Sequence, residues 1–482
     1  MGGRLIKMNY DITIIGAGII GSSIAYRLSK YDCSILVVDK NNDVADEVSM
    51  ANSAIVHAGH DPKDGTLKGK LNVEGSRMYP ELCENIGAQI KNVGAYTVMY
   101  SPEQEATFNE LVEKAKERNI PYEILSGDEA RKEEPNLSDD IYKVLSLPST
   151  SIITPWEVTL KQLQVAVING TEVKLSCEVT SIDKTEDGYT LHTSNGDINT
   201  KYVINAAGLY SDVIGNMLEP NKYLVTPKRG EYYVLSHDAK DFVKHIIYPI
   251  PTAQGKGILA IPTADENILL GPTAEIIDDK QGVNTTSEGF AKLRESLPTS
   301  VKNIPYNQII RTFAGIRPTV ESNDFIIDRN ENFVNLVGID SPGIASAPAI
   351  AKYVEELLEL PYVVKDNYEV KNPYHNEFSK MTPEEKDAYI KEHPEYGHIV
   401  CRCEQISEGE VIACIKEELG ARSIKAVKKR CRPGMGKCQG GFCQPLILEI
   451  LARELNLKPE EVLYDNPGSN VVIDYRGGHE DA

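Results

Sequence analysis

Hydrophobic positions near the start of the chain change from strand-like to helix-like spacing and back. An apolar run at 11–15 leads into a glycine-rich turn, and a helical pattern at 22–28 follows directly. A second apolar run at 34–38 ends on Asp39. Strand, tight turn, helix and strand in this order predict the first βαβ unit of a nucleotide-binding α/β domain.

The middle of the chain is predicted to be rich in short strands. Helical segments near 68–86 and 104–118 come first, and a loop with the only tryptophan, Trp156, leads into another helix. Alternating runs joined by an Asn-Gly turn predict a hairpin within 173–208. Further short strands are predicted at 230–235, 246–250, 257–261 and 267–270. They favour an antiparallel sheet that forms a second domain.

The pattern then returns to α/β. A strand at 334–338 and a helix at 347–360 would complete the nucleotide-binding domain, so the antiparallel sheet is predicted to be inserted into it. A capping box at 382–385 starts a helix inside the following linker. Three more short helices are predicted at 408–419, 423–430 and 445–455. The predicted fold class is α/β, with an inserted antiparallel-β domain and a small helical C-terminal domain.

The glycine-rich turn has the spacing of a dinucleotide-binding loop. Gly16 permits the tight turn, Gly18 lets the backbone approach a pyrophosphate, and Gly21 lets helix and strand pack closely. Asp39 can accept hydrogen bonds from ribose hydroxyls and would repel a 2′-phosphate. These residues predict FAD or NAD as the cofactor. The alternative is a glycine-rich turn in an ordinary α/β protein.

Composition limits the classes of partner. The chain has 482 residues, which favours two or three domains, and 41% hydrophobic with 25% charged residues is ordinary for a globular protein. No apolar run approaches the roughly 18 residues of a membrane span, and no secretory signal is recognisable. A net charge of −20 argues against nucleic acid and anionic membranes as partners. An anionic substrate would therefore need a local cluster of Arg and Lys.

Six of the nine cysteines lie close to the C-terminus. Cys401 and Cys403 are followed, after 34 residues, by Cys438 and Cys443, and four thiolates from two short loops can bind zinc or an iron–sulfur cluster. Zinc ribbons usually have two residues between paired cysteines, which neither pair has. Glycines at 434, 436, 440 and 441 would expose backbone N–H groups to cluster sulfurs. A [2Fe–2S] cluster is favoured over zinc or unligated cysteines; Cys414 is predicted to be core, and Cys431 has no assigned role.

Several motifs resemble known families. The segments Cys401-Arg-Cys403 and Gly434-Met-Gly-Lys-Cys-Gln-Gly-Gly-Phe-Cys443 resemble the bacterioferritin-associated-ferredoxin-like [2Fe–2S] domain, over about 395–466. Residues 8–360 resemble the FAD-dependent glycerol-3-phosphate oxidase/dehydrogenase family of the D-amino-acid-oxidase superfamily, in which L-2-hydroxyglutarate dehydrogenase is a close relative. The motifs that carry this second resemblance are Ala51-Asn-Ser-Ala-Ile-Val-His57-Ala-Gly, Lys228-Arg-Gly-Glu-Tyr, Gly255-Lys-Gly, Phe313-Ala-Gly-Ile-Arg317-Pro and Ser341-Pro-Gly-Ile-Ala-Ser-Ala-Pro-Ala.

The second resemblance implies FAD as the cofactor. The residues that it places along FAD are Gly16, Gly18, Gly21, Asp39, Ser49, Asn52, Ser53, Gly208 and Gly343. One departure is Ala54, where relatives often have glycine.

The same resemblance implies the catalytic and substrate-binding residues. His57 would face the flavin and take the hydroxyl proton, a role for which His60 competes, and Ser341 would lie close to the flavin. Arg317 would bind the anionic group of the substrate, with Lys228, Arg229 and Lys256 as further candidates. The structural alternatives are a packed loop histidine at His57, a salt bridge of Arg317 with Glu321, and solvated surface charges for the other three.

A flavin accepts two electrons, whereas a [2Fe–2S] cluster passes one at a time, which favours a dehydrogenase over an oxidase. The leading hypothesis is oxidation of sn-glycerol 3-phosphate to dihydroxyacetone phosphate. The alternatives are a dehydrogenase of L-2-hydroxyglutarate or another 2-hydroxy acid, and an electron-transfer subunit of a larger flavoprotein complex. The expected electron acceptor is a separate one-electron protein or a quinone-linked partner, with a hetero-oligomer as one such assembly. The expected location is cytoplasmic, with peripheral membrane association through a partner as a variant.

These hypotheses give a domain plan. The expected order is an FAD-binding domain in three parts (8–80, 151–221 and 311–360), a helical or substrate-domain segment (81–150), a substrate domain (222–310), a linker (361–394), a [2Fe–2S] domain (395–466) and a tail (467–482).

Overall fold

The computed structural model describes residues 8–251, 257–374 and 377–473. The chain divides into two compact units, one of residues up to 39 and from 45 to 371, the other of residues 40–44 and from 372 onward. Among the helices described, none combines the length and the apolar character that a membrane crossing requires.

The first unit contains twenty strands and eight helices within the described residues. The strands are β1 (Met8–Ile15), β2 (Ile35–Val38), β3 (Ile55–Val56), β4 (Ile90–Asn92), β5 (Ala95–Met99), β6 (Glu123–Ser126), β7 (Lys143–Leu147), β8 (Ser151–Ile153), β9 (Glu172–Lys174), β10 (Val179–Lys184), β11 (Tyr189–Thr193), β12 (Gly196–Asn205), β13 (Thr226–Leu235), β14 (Ile246–Pro249), β15 (Leu259–Pro262), β16 (Ile268–Gly271), β17 (Glu275–Ile276), β18 (Ile309–Thr319), β19 (Ile326–Asn330) and β20 (Phe333–Val337). The helices are α1 (Ile19–Leu28), α2 (Leu67–Ile86), α3 (Glu105–Glu117), α4 (Gly127–Glu133), α5 (Pro155–Ile168), α6 (Ser211–Gly215), α7 (Ser287–Ser300) and α8 (Gly343–Leu358).

One eight-stranded sheet is the nucleotide-binding core. Its central path is β10-β11-β12-β1-β2-β9, and β20 pairs in parallel with β12, with β19 beside it. β1 is parallel to both β2 and β12, and β2 is buried along its whole length. Continuous hydrophobic runs are expected where helices cover both faces of a parallel sheet. The position of β20 beside β12 confirms that the chain returns to the first sheet after the inserted strands.

A nine-stranded, mainly antiparallel sheet forms the inserted part. Its path is β17-β13-β16-β15-β14-β5-β7-β6, and β18 pairs with β13. A third, small sheet consists of β3, β8 and β4, and its strand β3 ends directly before His57 in the chain. The predicted fold class, a Rossmann-like domain with an inserted antiparallel sheet and a small C-terminal domain, is confirmed.

The large sheet contains strands that the hydrophobic pattern did not indicate. β5, β6 and β7 come from the segment at 81–150, and every residue of β5 is buried, so the chain shows no two-residue alternation there. β18 pairs with β13, although the plan places residues 311–360 in the nucleotide-binding domain. Glycine and proline within β18 weaken its strand signal.

The second unit is small and mostly helical. Its described elements are α9 (Glu377–Lys380), α10 (Pro383–Glu392), β21 (Ile399–Cys401), β22 (Ile406–Ser407), α11 (Glu408–Lys416), α12 (Ile424–Cys431) and α13 (Gln444–Leu455). The capping box at the start of α10 is present, with Thr382 and Glu385 bonded to each other's backbone N–H. The three predicted C-terminal helices correspond to α11, α12 and α13, whose apolar faces share one core.

Residues 40–44 group with this second unit, whereas the plan places them in the nucleotide-binding domain. Asp43 in this segment is buried and lies 2.7 Å from Lys429 Nζ and 2.8 Å from Arg430 Nη2. The two cations hold the pKa of Asp43 well below its usual range despite burial, which opposes ionisation. Of the predicted tail, residues 474–482 lie outside the described part.

Candidate active site

The turn between β1 and α1 has the close backbone packing of a dinucleotide-binding loop. Gly16 has a φ of +112°, and a Cβ on it would lie 2.4 Å from the carbonyl oxygen of Ala206. A Cβ on Gly21 would lie 1.9 Å from the carbonyl oxygen of Gly16. Side chains are therefore excluded at both positions, as the glycine spacing predicts.

The N-terminus of α1 is shaped by two more predicted residues. Asp39 Oδ2 accepts a hydrogen bond of 2.7 Å from the N–H of Ala17, and Ser49 Oγ accepts one of 2.9 Å from the N–H of Ile19. Gly18 is the N-cap residue and has no side chain that could occupy the space in front of the helix. The structure thus brings Asp39 and Ser49 to the loop that would hold a pyrophosphate at the positive end of a helix.

The loop at 48–54 depends on Asn52. Its side-chain nitrogen donates to the carbonyl oxygens of Val48 and Ser49, and its Oδ1 accepts from the N–H of Ala54. Ala54 has a φ of +59°, in the region that favours glycine. Asn52 therefore holds the loop in a turn that alanine adopts only at a cost.

The predicted glycines at 208 and 343 lie at two further turns. Gly208 has a φ of +54°, and a Cβ on it would meet no atom within 4 Å, so this turn borders open space. Gly343 begins α8, and half-buried Ser341 lies just before it. The preceding residue, Asp340, forms an ion pair of 2.6 Å with Lys68, and both side chains are about one-tenth exposed. This ion pair fixes the loop that carries Ser341.

His57 lies in a cleft together with His60, Asp61, Thr97, Tyr248, Pro249 and Pro251. The hydroxyl of Tyr248 is 3.0 Å from His57 Nδ1, and the side chain of Asn72 donates a hydrogen bond of 2.8 Å to the carbonyl oxygen of His57. Both the ring and the backbone of His57 are thus held. A histidine in a cleft with a fixed ring can act as a general base.

His60 lines the same cleft and is buried. Arg118, beyond the end of α3, holds the chain around it by donating to the carbonyl oxygens of Gly59 and Pro62 and by an ion pair with Asp64. The structure therefore places both histidines in one cleft, and the roles of the two remain predictions.

Arg317 and Lys228 form a pair of cations on one face of the large sheet. They lie directly opposite each other on β18 and β13, and both are half-buried. Within the described ranges, neither has an ion pair or a side-chain hydrogen bond, so Glu321 does not neutralise Arg317. A Cβ on Gly230 would lie 3.3 Å from Arg317 Nη2, which places the guanidinium over that glycine.

The same face of the sheet contacts the loop at 48–54. Tyr232 and Phe313 stack with ring centroids 4.6 Å apart, and the Tyr232 hydroxyl is 3.0 Å from Ser53 Oγ. A Cβ on Gly315 would lie 1.9 Å from the carbonyl oxygen of Ala51. The cation pair thus belongs to the sheet face that meets the loop leading to His57.

Arg229 lies on the opposite face of β13, because successive side chains of a strand point to opposite sides. It is 7% exposed and bonded to Glu275 at 2.8 Å and Asn284 at 3.1 Å, with buried Glu231 at 3.6 Å. The structure therefore does not bring Arg229 together with Arg317 as a substrate contact. Lys256, the other substrate-binding candidate, lies outside the described residues.

The four predicted cluster cysteines stand in two pairs. Cys401 is hydrogen-bonded to Cys443, and the sulfurs of Cys403 and Cys438 are 3.8 Å apart. Across the described residues, no three His, Cys, Asp or Glu side chains are arranged to hold a single metal ion. Each pair joins one cysteine of the first motif with one of the second.

Backbone N–H groups point at these sulfurs. The hydrogen bond with Cys443 and backbone N–H groups that include that of Gly434 lower the pKa of the Cys401 thiol to about 6, against the effect of burial. Burial opposes ionisation of Cys438, but N–H groups of Phe442 and Gly440 lower its pKa. Cys401 and Cys438 are thus the thiols that ionise first in their pairs, while the pKa values of their partners, Cys443 and Cys403, are raised. Thiolates bonded to backbone N–H groups are typical ligands of an iron–sulfur cluster, so this set of cysteines fits such a group.

Cys431 does not join this set. Its sulfur is 3.6 Å from that of Cys414, and both are buried in the core of the second unit. The hydrogen bond with Cys414, together with burial, raises the pKa of the Cys431 thiol, as expected for a core cysteine.

Comparison with known proteins decides the family. Residues 11–357 match the model of the FAD dependent oxidoreductase family. The chain belongs to this family. Residues 399–453 match the BFD-like [2Fe-2S] binding domain. FAD and a [2Fe–2S] centre are thus the cofactors of this FAD dependent oxidoreductase, as predicted, and the glycine turns and the paired thiols described above fit them.

Individual proteins of known activity are similar to this chain over different parts of its length. A glycerol 3-phosphate dehydrogenase of Caloramator mitchellensis is 43% identical over 470 residues, which cover 96% of this chain and 98% of the relative. An L-2-hydroxyglutarate dehydrogenase of Escherichia coli K12 is 29% identical over 298 residues, 60% of this chain and 70% of the relative. The solved structure of dithionite-reduced L-alpha-glycerophosphate oxidase from Mycoplasma pneumoniae, with FAD bound, has a TM-score of 0.73 and 29% identity. The superposition includes 76% of this chain and the whole of the oxidase chain.

Three residues of the site have no predicted role, although one of them, Tyr232, ends the motif Lys228-Arg-Gly-Glu-Tyr. Tyr248, Asn72 and Tyr232 contact predicted residues that are 191, 15 and 179 positions away in the chain. Two are tyrosines in strand-like segments, where aromatic residues are common. Only the position of a hydroxyl beside His57 or Ser53 distinguishes them from core tyrosines.

Proposed function

We propose that the protein is an FAD-dependent dehydrogenase that oxidises sn-glycerol 3-phosphate to dihydroxyacetone phosphate. When bound, FAD accepts a hydride and a [2Fe–2S] centre passes electrons on one at a time. The observation that carries the proposal is the pair of cations at Arg317 and Lys228, on the sheet face that meets the loop leading to His57. Like charges placed directly opposite each other are unfavourable, and a phosphate dianion would neutralise both.

The residues have separable roles. Gly16, Gly18 and Asp39 would hold the adenosine and pyrophosphate of FAD, while Ser49, Asn52 and Ser53 shape the loop beside it. Arg317 would bind the phosphate through its planar fork, and Lys228 would add a second positive charge. His57 would take the proton of the substrate hydroxyl as the carbon loses its hydride. Ser341 would lie close to the flavin, on the loop that Lys68 and Asp340 hold.

The length of the relatives supports a dehydrogenase rather than an oxidase. The Caloramator dehydrogenase matches 96% of this chain, and the unmatched 4% is far shorter than residues 399–453, so its match extends into the [2Fe–2S] domain. The Mycoplasma oxidase is matched completely by 76% of this chain. A cluster domain would allow the reduced flavin to pass its electrons to an acceptor other than oxygen. This acceptor would be a separate one-electron protein or a quinone-linked partner.

The competing substrate is L-2-hydroxyglutarate, which the similarity to the Escherichia coli enzyme favours. Anaerobic mixing with each substrate distinguishes the two, because reduction bleaches the flavin absorbance. We expect glycerol 3-phosphate to bleach the flavin within the turnover time, and glycerol, which lacks the phosphate, to serve as the matched control. Bleaching by 2-hydroxyglutarate alone would refute the proposal. Bleaching only by a redox partner would favour an electron-transfer subunit.

A further inference from the structure

Tyr248 is a buried tyrosine whose hydroxyl contacts the predicted base. It lies on β14, is 6% exposed, and its hydroxyl is 3.0 Å from His57 Nδ1. The two rings have centroids 5.8 Å apart and planes tilted by 38°, so the contact is a hydrogen bond in geometry and not a stack.

The hydroxyl stays protonated at physiological pH. Burial raises the pKa of Tyr248 well above its usual value, and the negative charge of Asp61 adds to this effect. A neutral tyrosine hydroxyl can donate one hydrogen bond and accept others. It can therefore remain bonded to His57 Nδ1 whether or not that nitrogen carries a proton.

We propose that Tyr248 is a positioning residue that holds the His57 ring through Nδ1 and stabilises its protonated form, so that proton exchange with the substrate hydroxyl occurs at Nε2. This inference rests on the proposed function. In the step concerned, the neutral His57 ring carries its one proton on Nδ1 and donates it in a hydrogen bond to the Tyr248 oxygen. The O–H bond of the substrate breaks and an Nε2–H bond forms, while the hydride leaves the neighbouring carbon with its electron pair for the bound flavin. The resulting imidazolium donates Nδ1–H to the Tyr248 oxygen.

The positive charge of protonated His57 determines in which direction Tyr248 shifts the pKa of the ring. A hydrogen bond that Nδ1–H donates from an imidazolium is stronger than one that it donates from the neutral ring, because the donor is then ionised. Tyr248 therefore raises the pKa of His57 relative to a site without the hydroxyl. A variant that lacks only this hydroxyl keeps the side chains of His60 and Asp61, the other titratable groups of the cleft.

The test is Tyr248→Phe, which removes the hydroxyl and keeps the ring that packs in the core. We expect kcat to fall about tenfold or more with KM changed less than about twofold, since the bond strengthens as the charge forms. The acid limb of the kcat/KM profile should move to lower pH. A carbon-13 histidine titration of the FAD-loaded protein, with the His57 signal assigned through H57Q, should show its pKa lower by about half a unit or more.

The matched control is Tyr96→Phe. Tyr96 is a buried tyrosine on the neighbouring strand β5, faces the other side of the sheet, and donates to Glu133 at 2.8 Å. It should leave the pKa of His57 and the pH profile unchanged. An unchanged His57 pKa in Y248F would overturn the inference. The titration needs no substrate, so it decides the role of Tyr248 even if glycerol 3-phosphate fails to bleach the flavin and the proposed function falls.

Discussion

Arg317 lies directly opposite Lys228 across β18 and β13, and in the described part of the chain neither side chain has an acidic partner. Cross-strand pairs of like charge are destabilising unless an anion or a carboxylate neutralises them. The next residue, Arg229, is in contrast held by acidic groups on the other face of the sheet. The neighbouring residues Lys228 and Arg229 therefore differ in role: Lys228 is available to an anion beside Arg317, whereas Arg229 forms structural ion pairs.

Replacing Arg317 by methionine should raise KM for glycerol 3-phosphate by about 10²-fold, because the charged hydrogen bonds to phosphate are lost. Lys228→Met should raise KM by about tenfold, since one positive charge of the pair remains. Initial rates across a range of substrate concentrations measure both. An unchanged KM in both variants would contradict a phosphate site at this pair.

Arg229→Met is the contrasting variant. It leaves the carboxylate of Glu231, which is 0% exposed, without its arginine, and breaking a buried ion pair costs about 3–5 kcal/mol. Urea unfolding should show this loss of stability. The protein that remains folded should have an unchanged KM. A large increase in KM without a loss of stability would instead indicate that Arg229 binds the substrate.

Ala54→Gly should stabilise the protein by about 0.5–1 kcal/mol. Alanine at a φ of +59° is strained by about 1–2 kcal/mol, and part of that gain is offset by the greater freedom of glycine in the unfolded chain. Denaturant midpoints compare the variant with the wild type. Ala58→Gly, at a buried alanine nearby, is the control and should destabilise. An equal loss of stability in both variants would show that glycine at position 54 does not relieve backbone strain.

Cys438→Ser should remove the visible absorbance of the iron–sulfur cluster and leave FAD bound. The thiol of Cys438 pairs with that of Cys403 from the other cysteine motif, whereas Cys431 pairs with Cys414 in the core. Cys431→Ser is therefore the matched control and should retain the cluster absorbance. Full cluster absorbance in C438S would refute the ligand assignment.

His192 should titrate above the usual pH of a histidine. Hydrogen bonds with Asp183 at 3.0 Å and Asp197 at 2.8 Å raise its pKa, because they favour the protonated ring. A histidine whose pKa is higher in the folded than in the unfolded chain stabilises the folded state when it is protonated. This stabilisation is complete at a pH below the pKa of the unfolded chain, and it is lost as the pH rises through the pKa of the folded protein. Nuclear magnetic resonance titration measures the shift. In D183N/D197N the midpoint should fall toward the ordinary value, and an unchanged midpoint would contradict the assignment.

Local patterns predicted much of the fold. The glycine turn at Gly16–Gly21, the capping box at Thr382 and the three C-terminal helices all depend on residues close together in the chain. Strands without alternation were not predictable in this way: β5 is buried on both sides, and β18 contains glycine and proline. Their membership of the large sheet depends on pairing with distant segments.

The sequence by itself indicated the fold class, a dinucleotide cofactor and an iron–sulfur cluster, because glycine spacing, the acidic residue after β2 and the cysteine pairs are local chemical patterns. The choice of FAD over NAD came from the resemblance of further motifs to a known family. Tertiary structure alone decided which cations face the loop before His57. Lys228 and Arg229 are neighbours in the chain, but strand alternation turns one toward Arg317 and the other toward Glu231. Likewise, only the packing of β14 brings the hydroxyl of Tyr248 to a histidine 191 residues away. A strand points successive side chains to opposite faces, so its partners follow from register and not from composition.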